Sequence, residues 1–243
     1  MRSLSRKIRK KIVSACSDYR LLENDDNILV AVSGGIDSTV MLLQLEEIRK
    51  RAAIQFSIQP VLLDQGHPGF NIAPYRIWLQ TNGFELTVLD HDTYSTARKS
   101  TPVGKSICRL CSCQRRGILY HYAERKGFAK IALGHQMHDF NETMLLNMLY
   151  AGTTASMSPK READNGQSTV IRPLCYVPKT LIEQYARKIR FPIIPDNLCG
   201  YAKESSRLKV RTLLQQFHAL HPNSANNLFA AQKNLKPDRL PVL

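Results

Sequence analysis

Ser33-Gly34-Gly35-Ile36-Asp37-Ser38 is the first stretch whose residue types and spacing could do chemistry. A short apolar run, Ile28 to Val32, leads into it, and a helical pattern (Val40, Met41, Leu42, Leu43, Leu45) leaves it. Strand, glycine turn and helix N-terminus in that order make an anion site. The glycines let the backbone approach a phosphate, and unpaired N–H groups with the helix dipole favour negative charge. The stretch lacks the G-x-x-x-x-G-K-[ST] of a Walker loop and the G-x-G-x-x-G of a dinucleotide fingerprint. A turn whose glycines serve only geometry is the bland alternative.

Cys108-Arg109-Leu110-Cys111 is the second candidate. A lone C-x-x-C fits a redox pair, half a zinc site, or two small residues opening a helix. No second C-x-x-C or H-x-x-x-H follows, and a long loop precedes the motif where a thioredoxin-type role would want a strand. Cys199 is the other cysteine that could join it, and three thiolates with one position open suit an iron–sulfur cluster. With six cysteines in 243 residues and no secretory signal before them, reduced thiols in a cytoplasm are expected, not a disulfide scaffold.

Alternating strands and helices must position these residues. Strands are expected over 27–32, 54–63, 84–89 and 129–133, the second ending at Asp64 on the carboxyl edge where open α/β sheets bind ligands. Helices are expected from Ser38 to about Lys50, from Pro74 to Asn82-Gly83, from about Cys113 to Arg125, over Phe140–Tyr150, and from Pro178 to Arg190. Residues 91–107 and 153–168 read as loops, and Thr169–Leu174 as an edge strand. The prolines of Phe191–Pro195 make that segment extended but not a central strand. Two short helices, about 206–219 and 223–234, follow. The predicted fold class is α/β, a parallel doubly wound sheet with an N-terminal helix and a small helical C-terminal part. The expected organisation is 1–24 a basic amphipathic helix, 25–175 the sheet domain, and 176–243 a helical extension packed on the core.

Lys plus Arg total 34 against 20 Asp plus Glu, a net charge of +14, which points to a polyanionic partner. No apolar run approaches the ~20 residues that span a bilayer, so no membrane partner is expected. The first 17 residues carry Arg, Lys and Ser without an acid, as a transit peptide does. Leu4, Ile8, Ile12 and Cys16 nevertheless recur every fourth residue, which reads as an amphipathic helix packing on the domain with a basic face outward.

The S-G-G-x-D-S loop resembles the signature of the PP-loop ATP pyrophosphatases. Further matches are Cys108-x-x-Cys111 with Gln114-Arg115-Arg116-Gly117-Ile118-Leu119-Tyr120, Ile131-Ala132-Leu133-Gly134-His135 with Asp139, Glu142 and Thr143, Ile171-Arg172-Pro173-Leu174, and Phe191-Pro192-Ile193-Ile194-Pro195. Together they resemble the branch of that family that thiolates tRNA, in particular its cytidine-modifying members, over residues 5 to 235.

The resemblance implies adenylation of a pyrimidine C2 oxygen by ATP and its replacement by sulfur. It implies a [4Fe-4S] cluster on Cys108, Cys111 and Cys199, leaving Cys16, Cys113 and Cys175 as ordinary buried thiols. ATP would be bound by Ser33, Gly34, Gly35, Asp37, Ser38, Asp64, Gly134, His135 and Asp139. Asp37 would carry Mg²⁺, and N-capping is its alternative role, as it is for Asp139. Arg115 and Arg116 are candidate RNA contacts, and His135 has a structural alternative. The implied partners are tRNA and a sulfur donor, such as a cysteine desulfurase or sulfide; a homodimer is one possible assembly.

Three departures stand out. Ile36 replaces the loop lysine usual in the family, Asp196 replaces one cysteine of a C-x-x-C, and Gly134-His135-Gln136-Met137-His138-Asp139 keeps only the last carboxylate of G-H-H-x-D-D. Two other readings remain: lysidine-type amidation by the same adenylation, which needs no cysteines, and a non-catalytic RNA-binding paralogue.

Overall fold

The computed structural model describes residues 2–102, 105–195, 206–236 and 238. The chain divides into two compact units, Met1–Gln136 with Ser158–Lys203, and Met137–Met157 with Glu204–Leu243.

The first unit is built on a six-stranded sheet. Its strands are β1 (Asp26–Val32), β2 (Phe56–Asp64), β3 (Thr87–Asp90), β4 (Lys130–Ala132), β5 (Lys160–Glu162) and β6 (Thr169–Ile171), in the order β3-β2-β1-β4-β6-β5. All neighbours are parallel except β5, which runs antiparallel to β6. The order reverses direction at β1, with β2 on one side and β4 on the other. The carboxyl ends of β1 and β4 therefore flank the crevice where such sheets take ligands.

Ile28, Leu29 and Val30 are wholly buried, as in a strand covered on both faces. One face packs Leu29, Val61, Ile131 and Val170 against Leu119, Tyr120 and Ala123 of α5 (Cys108–Arg125). On the other face lie α2 (Ile36–Arg49) and, packed against it, α1 (Arg2–Tyr19) and α7 (Lys179–Ile189). The amphipathic reading of α1 holds, with Ile8, Ile12 and Ala15 buried and Arg2, Arg6, Lys7 and Lys10 exposed.

Several elements differ from the sequence expectation. Part of the 91–107 loop is α4 (Thr93–Ser100), capped by the Asp92 carboxylate accepting from the Ser95 N–H at 2.9 Å. The 153–168 loop contains β5, which takes the edge and leaves β6 paired on both sides. Helix α5 begins at Cys108, not Cys113, because the Ser106 Oγ accepts the Cys108 N–H at 3.3 Å and the helical ladder starts with Cys111 N–H to Ile107 C=O. α3 (Ala73–Thr81) follows the expected bounds.

The second unit gathers α6 (Met137–Ala151), α8 (Ser206–Leu220) and α9 (Ser224–Ala231). Phe140 meets Phe229 edge-to-face, and the buried Glu142 carboxylate takes two hydrogen bonds from Arg211, at 2.8 and 3.1 Å.

Candidate functional site: the β1–α2 loop and the thiols of α5

The signature loop sits where β1 gives way to α2, and its own hydroxyls knit it together. Ser33 N–H donates to Ser38 Oγ at 3.1 Å, Gly35 N–H to Ser33 Oγ at 3.3 Å, and the two hydroxyls lie 3.2 Å apart. Two of the amides expected to hold phosphate are therefore engaged inside the loop, and an anion has to share or displace those bonds. The Ile36 and Ser38 N–H groups, in the first helical turn, lack the intrahelical acceptor that later residues have.

Gly34 adopts φ +74°, a left-handed conformation that side chains other than glycine rarely take. Ile194 covers it, donating its N–H to the Gly34 carbonyl at 3.1 Å. Behind the loop, Thr39 Oγ1 bonds the Gly35 carbonyl at 2.8 Å and the buried Tyr75 hydroxyl at 2.9 Å. Burial pushes that phenol up to about 12, so it remains protonated.

Gly35, not Asp37, is the N-cap of α2; Asp37 is the second helical residue, half-buried in the first turn. Asp139 is likewise no cap: α6 starts at Met137, so Asp139 is its third residue, in the second unit. A carboxylate in the first turn is favoured by the helix dipole in both cases.

Gly134 follows β4 on the opposite side of the crevice from β2. A Cβ there would lie 3.0 Å from Ser38 N and 3.1 Å from Ser38 Cα, so the turn after β4 presses directly on the start of α2. His135 comes next, and its Nδ1 accepts from Arg172 Nε at 3.1 Å. Asp64 ends β2 on the same edge and accepts the Gly66 N–H at 2.9 Å, which closes the following turn.

Cys108 and Cys111 occupy the first turn of α5 at i and i+3, one face of a helix. Cys108 is exposed and Cys111 half-buried, and no described cysteine forms a disulfide. Among the described residues, no group of three or more His, Cys, Asp and Glu side chains is arranged to hold a metal; Cys199, the third expected ligand, lies outside the described residues, as does Asp196. Cys175 is buried, as expected. Burial pushes the Cys16 thiol up to about 12 despite the opposing charge of Lys130. Cys113, expected to be buried, is exposed, with its Sγ accepting from Arg116 at 3.3 Å. The earlier helix start turns Cys113 outward. Arg115 is exposed and Arg116 half-buried on the same helix.

Ile194 and Arg172 are the residues of this region that sequence reasoning gave no role. Their signals were present: an apolar run bracketed by prolines, and an arginine inside an otherwise apolar strand end.

A glycine loop between β1 and α2, braced by the turn after β4 at the reversal point of a parallel sheet, defines a nucleotide-binding α/β protein. The chain belongs to the PP-loop family, whose domain model matches residues 3–216. It is 40% identical over 237 residues to the tRNA-cytidine(32) 2-sulfurtransferase of Bdellovibrio bacteriovorus, covering 98% of this chain and 91% of that one. It is 42% identical over 239 residues to the protein of that name from Shewanella woodyi, covering 98% of this chain and 75% of the other. Among solved structures, the U34-tRNA thiolase NcsA from Methanococcus maripaludis with its [4Fe-4S] cluster superposes with a TM-score of 0.75 at 19% identity, over 95% of this chain and 78% of that one, a likeness of fold. No described helix is long and apolar enough to cross a membrane.

Proposed function

We propose that the protein is an ATP-dependent tRNA sulfurtransferase that replaces the C2 oxygen of a cytidine with sulfur. The observation that carries this reading is 40% identity over nearly the whole chain to a tRNA-cytidine(32) 2-sulfurtransferase, in a chain that also places Cys108 and Cys111 on one helical turn.

The loop amides of Gly34, Gly35 and Ser38, with Ser33, hold the ATP phosphates, and Asp37 supplies the hard oxygen donor that Mg²⁺ prefers. Gly134 keeps the opposite wall close, and Asp64 and His135 complete the nucleotide site. The cytidine C2 oxygen attacks the α-phosphorus and pyrophosphate leaves. A sulfur nucleophile then adds at C2, and AMP departs with the original oxygen. Two soft thiols one turn apart suit iron, and Cys108, Cys111 and Cys199 would hold a [4Fe-4S] cluster. When bound, that group supplies sulfur in deprotonated form. Arg115 and Arg116 meet the tRNA phosphates, and the surplus of 14 positive charges favours that encounter. The sulfur comes from free sulfide, or from a cysteine desulfurase whose persulfide sulfur a dithiol reductant brings to the sulfide level, the dithiol leaving as a disulfide.

Anaerobic purification with iron and sulfide assays, beside Cys199→Ala, tests the reading. Iron lost in that variant, with AMP release that depends on tRNA and ATP, is the expected result. An iron-free protein that makes no AMP would instead favour binding without turnover, the reading that the aliphatic Ile36 supports.

A further inference from the structure

The turns that follow β4 and β6 meet through two side chains. Arg172 Nε donates to His135 Nδ1 at 3.1 Å, and Arg172 Nη1 donates to the Ser158 carbonyl at 2.6 Å. Arg172 is only 6% exposed, and both of these partners are uncharged. The charged and titratable groups around it are Arg161, Tyr120, Cys175 and Arg116; burial first, then the Arg161 charge, push the guanidinium down to about 10. It therefore remains a cation near neutral pH.

A guanidinium only donates hydrogen bonds, so the nitrogen that faces it must present a lone pair. A proton on Nδ1 would set N–H against N–H, and an imidazolium would also set a half-buried cation against the buried guanidinium. We propose that Arg172 is a positioning residue that fixes His135 as the neutral tautomer protonated on Nε2. His135 then serves the carboxyl edge of the sheet as a hydrogen-bond donor and not as a proton acceptor. Its neighbour Gly134 packs on the Ser38 backbone, so the turn that carries His135 lies against the start of α2. A donor held there matches an oxygen of a nucleotide, a consequence that rests on the function proposed above; the tautomer itself does not.

The test is a long-range ¹H–¹⁵N correlation spectrum of histidine-labelled full-length protein, with His135 assigned by the signal lost in His135→Gln. A bare Nδ1 and a protonated Nε2 are expected, unchanged as pH falls below ~6.5, the ordinary histidine value. In Arg172→Met the second tautomer should appear and the His135 titration should rise by about one unit, a tenfold easier protonation. Arg172→Lys should fall between the two. A wild-type Nδ1 that carries the proton, or an Arg172→Met spectrum identical to wild type, would overturn the assignment. If Arg172→Met does not fold, the wild-type spectrum still decides. No tRNA or sulfur enters the measurement, so failure of thiolation and failure of this assignment are told apart.

Discussion

Ile194 and Gly34 are locked to each other: the isoleucine N–H bonds the glycine carbonyl at 3.1 Å, and a Cβ on Gly34 would lie 2.5 Å from Ile194 Cδ1. The left-handed turn and the segment that covers it are thus one structural unit.

Gly34→Ala should lose ~1–2 kcal/mol from the left-handed conformation alone, plus the collision with Ile194. Ile194→Ala removes the two nearest colliding atoms, Cδ1 and Cγ1, and leaves Cβ at 2.9 Å, so it should relieve part of the collision and be less damaging in the Gly34→Ala background than in wild type. Urea unfolding of the double-mutant cycle measures this, with an expected coupling of roughly 0.5–3 kcal/mol. A cycle that sums to zero means the two residues act independently.

Gly134→Ala puts a methyl group against backbone atoms of Ser38, which have no rotamer by which to yield. Overpacking of this kind costs typically ~1–3 kcal/mol. Because the displaced atoms belong to the proposed phosphate loop, ATP affinity should fall about tenfold or more. Calorimetric titration with ATP reads it, and unchanged affinity would separate Gly134 from the nucleotide site.

These close approaches show what was legible in the sequence. The loop glycines, the parallel doubly wound class and Asp64 at a strand end follow from apolar runs and turn residues, which are local signals. β5 was missed because Lys160-Arg161-Glu162 has no alternation, and only its pairing to Thr169–Ile171 makes it a strand. α4 has little apolar character; its one local sign was the capping Asp92. The Arg172–His135 and Gly34–Ile194 contacts join residues 37 and 160 positions apart, and neither pattern nor propensity reports such a pairing.

Lys130 opens β4 and Asp26 opens β1, so their 2.7 Å ion pair lies at the amino ends, away from the loops. Both are buried, and Lys130→Met leaves the Asp26 carboxylate without its cation, a loss of ~3–5 kcal/mol. Urea unfolding should show it while ATP affinity at permissive temperature stays unchanged. Glu23 also bonds Lys130, at 2.6 Å, and that hydrogen bond holds its carboxyl below the ordinary value of 4.5. A depressed carboxylate stabilises above its unfolded value. This contribution is therefore intact at neutral pH and is lost as pH falls through the folded value below 4.5, a loss absent from Glu23→Gln.

Thiol reactivity should sort by environment. Cys108 and Cys113 are exposed, whereas Cys175 is buried and the Cys16 thiol stays protonated up to about pH 12. Iodoacetamide with mass spectrometry should label the first two in the metal-free protein at least tenfold faster than the others. Iron loading should protect Cys108 and leave Cys113 reactive. Equal labelling of both after loading would remove Cys108 from the proposed metal ligands.

The strand that sequence reasoning missed also decides how open one border of the sheet is to further pairing. β5, the outermost strand on its side, is three residues long, and each of them is charged: Lys160, Arg161 and Glu162. At the other border, β3 offers four residues and stops at Asp90. The β5 border, short and charged, gives an approaching strand few backbone groups to zip against and demands desolvation of an ion at each, while the β3 border is nearly as short and carries one charge, Asp90. Growth of this sheet from one molecule into the next is thereby discouraged.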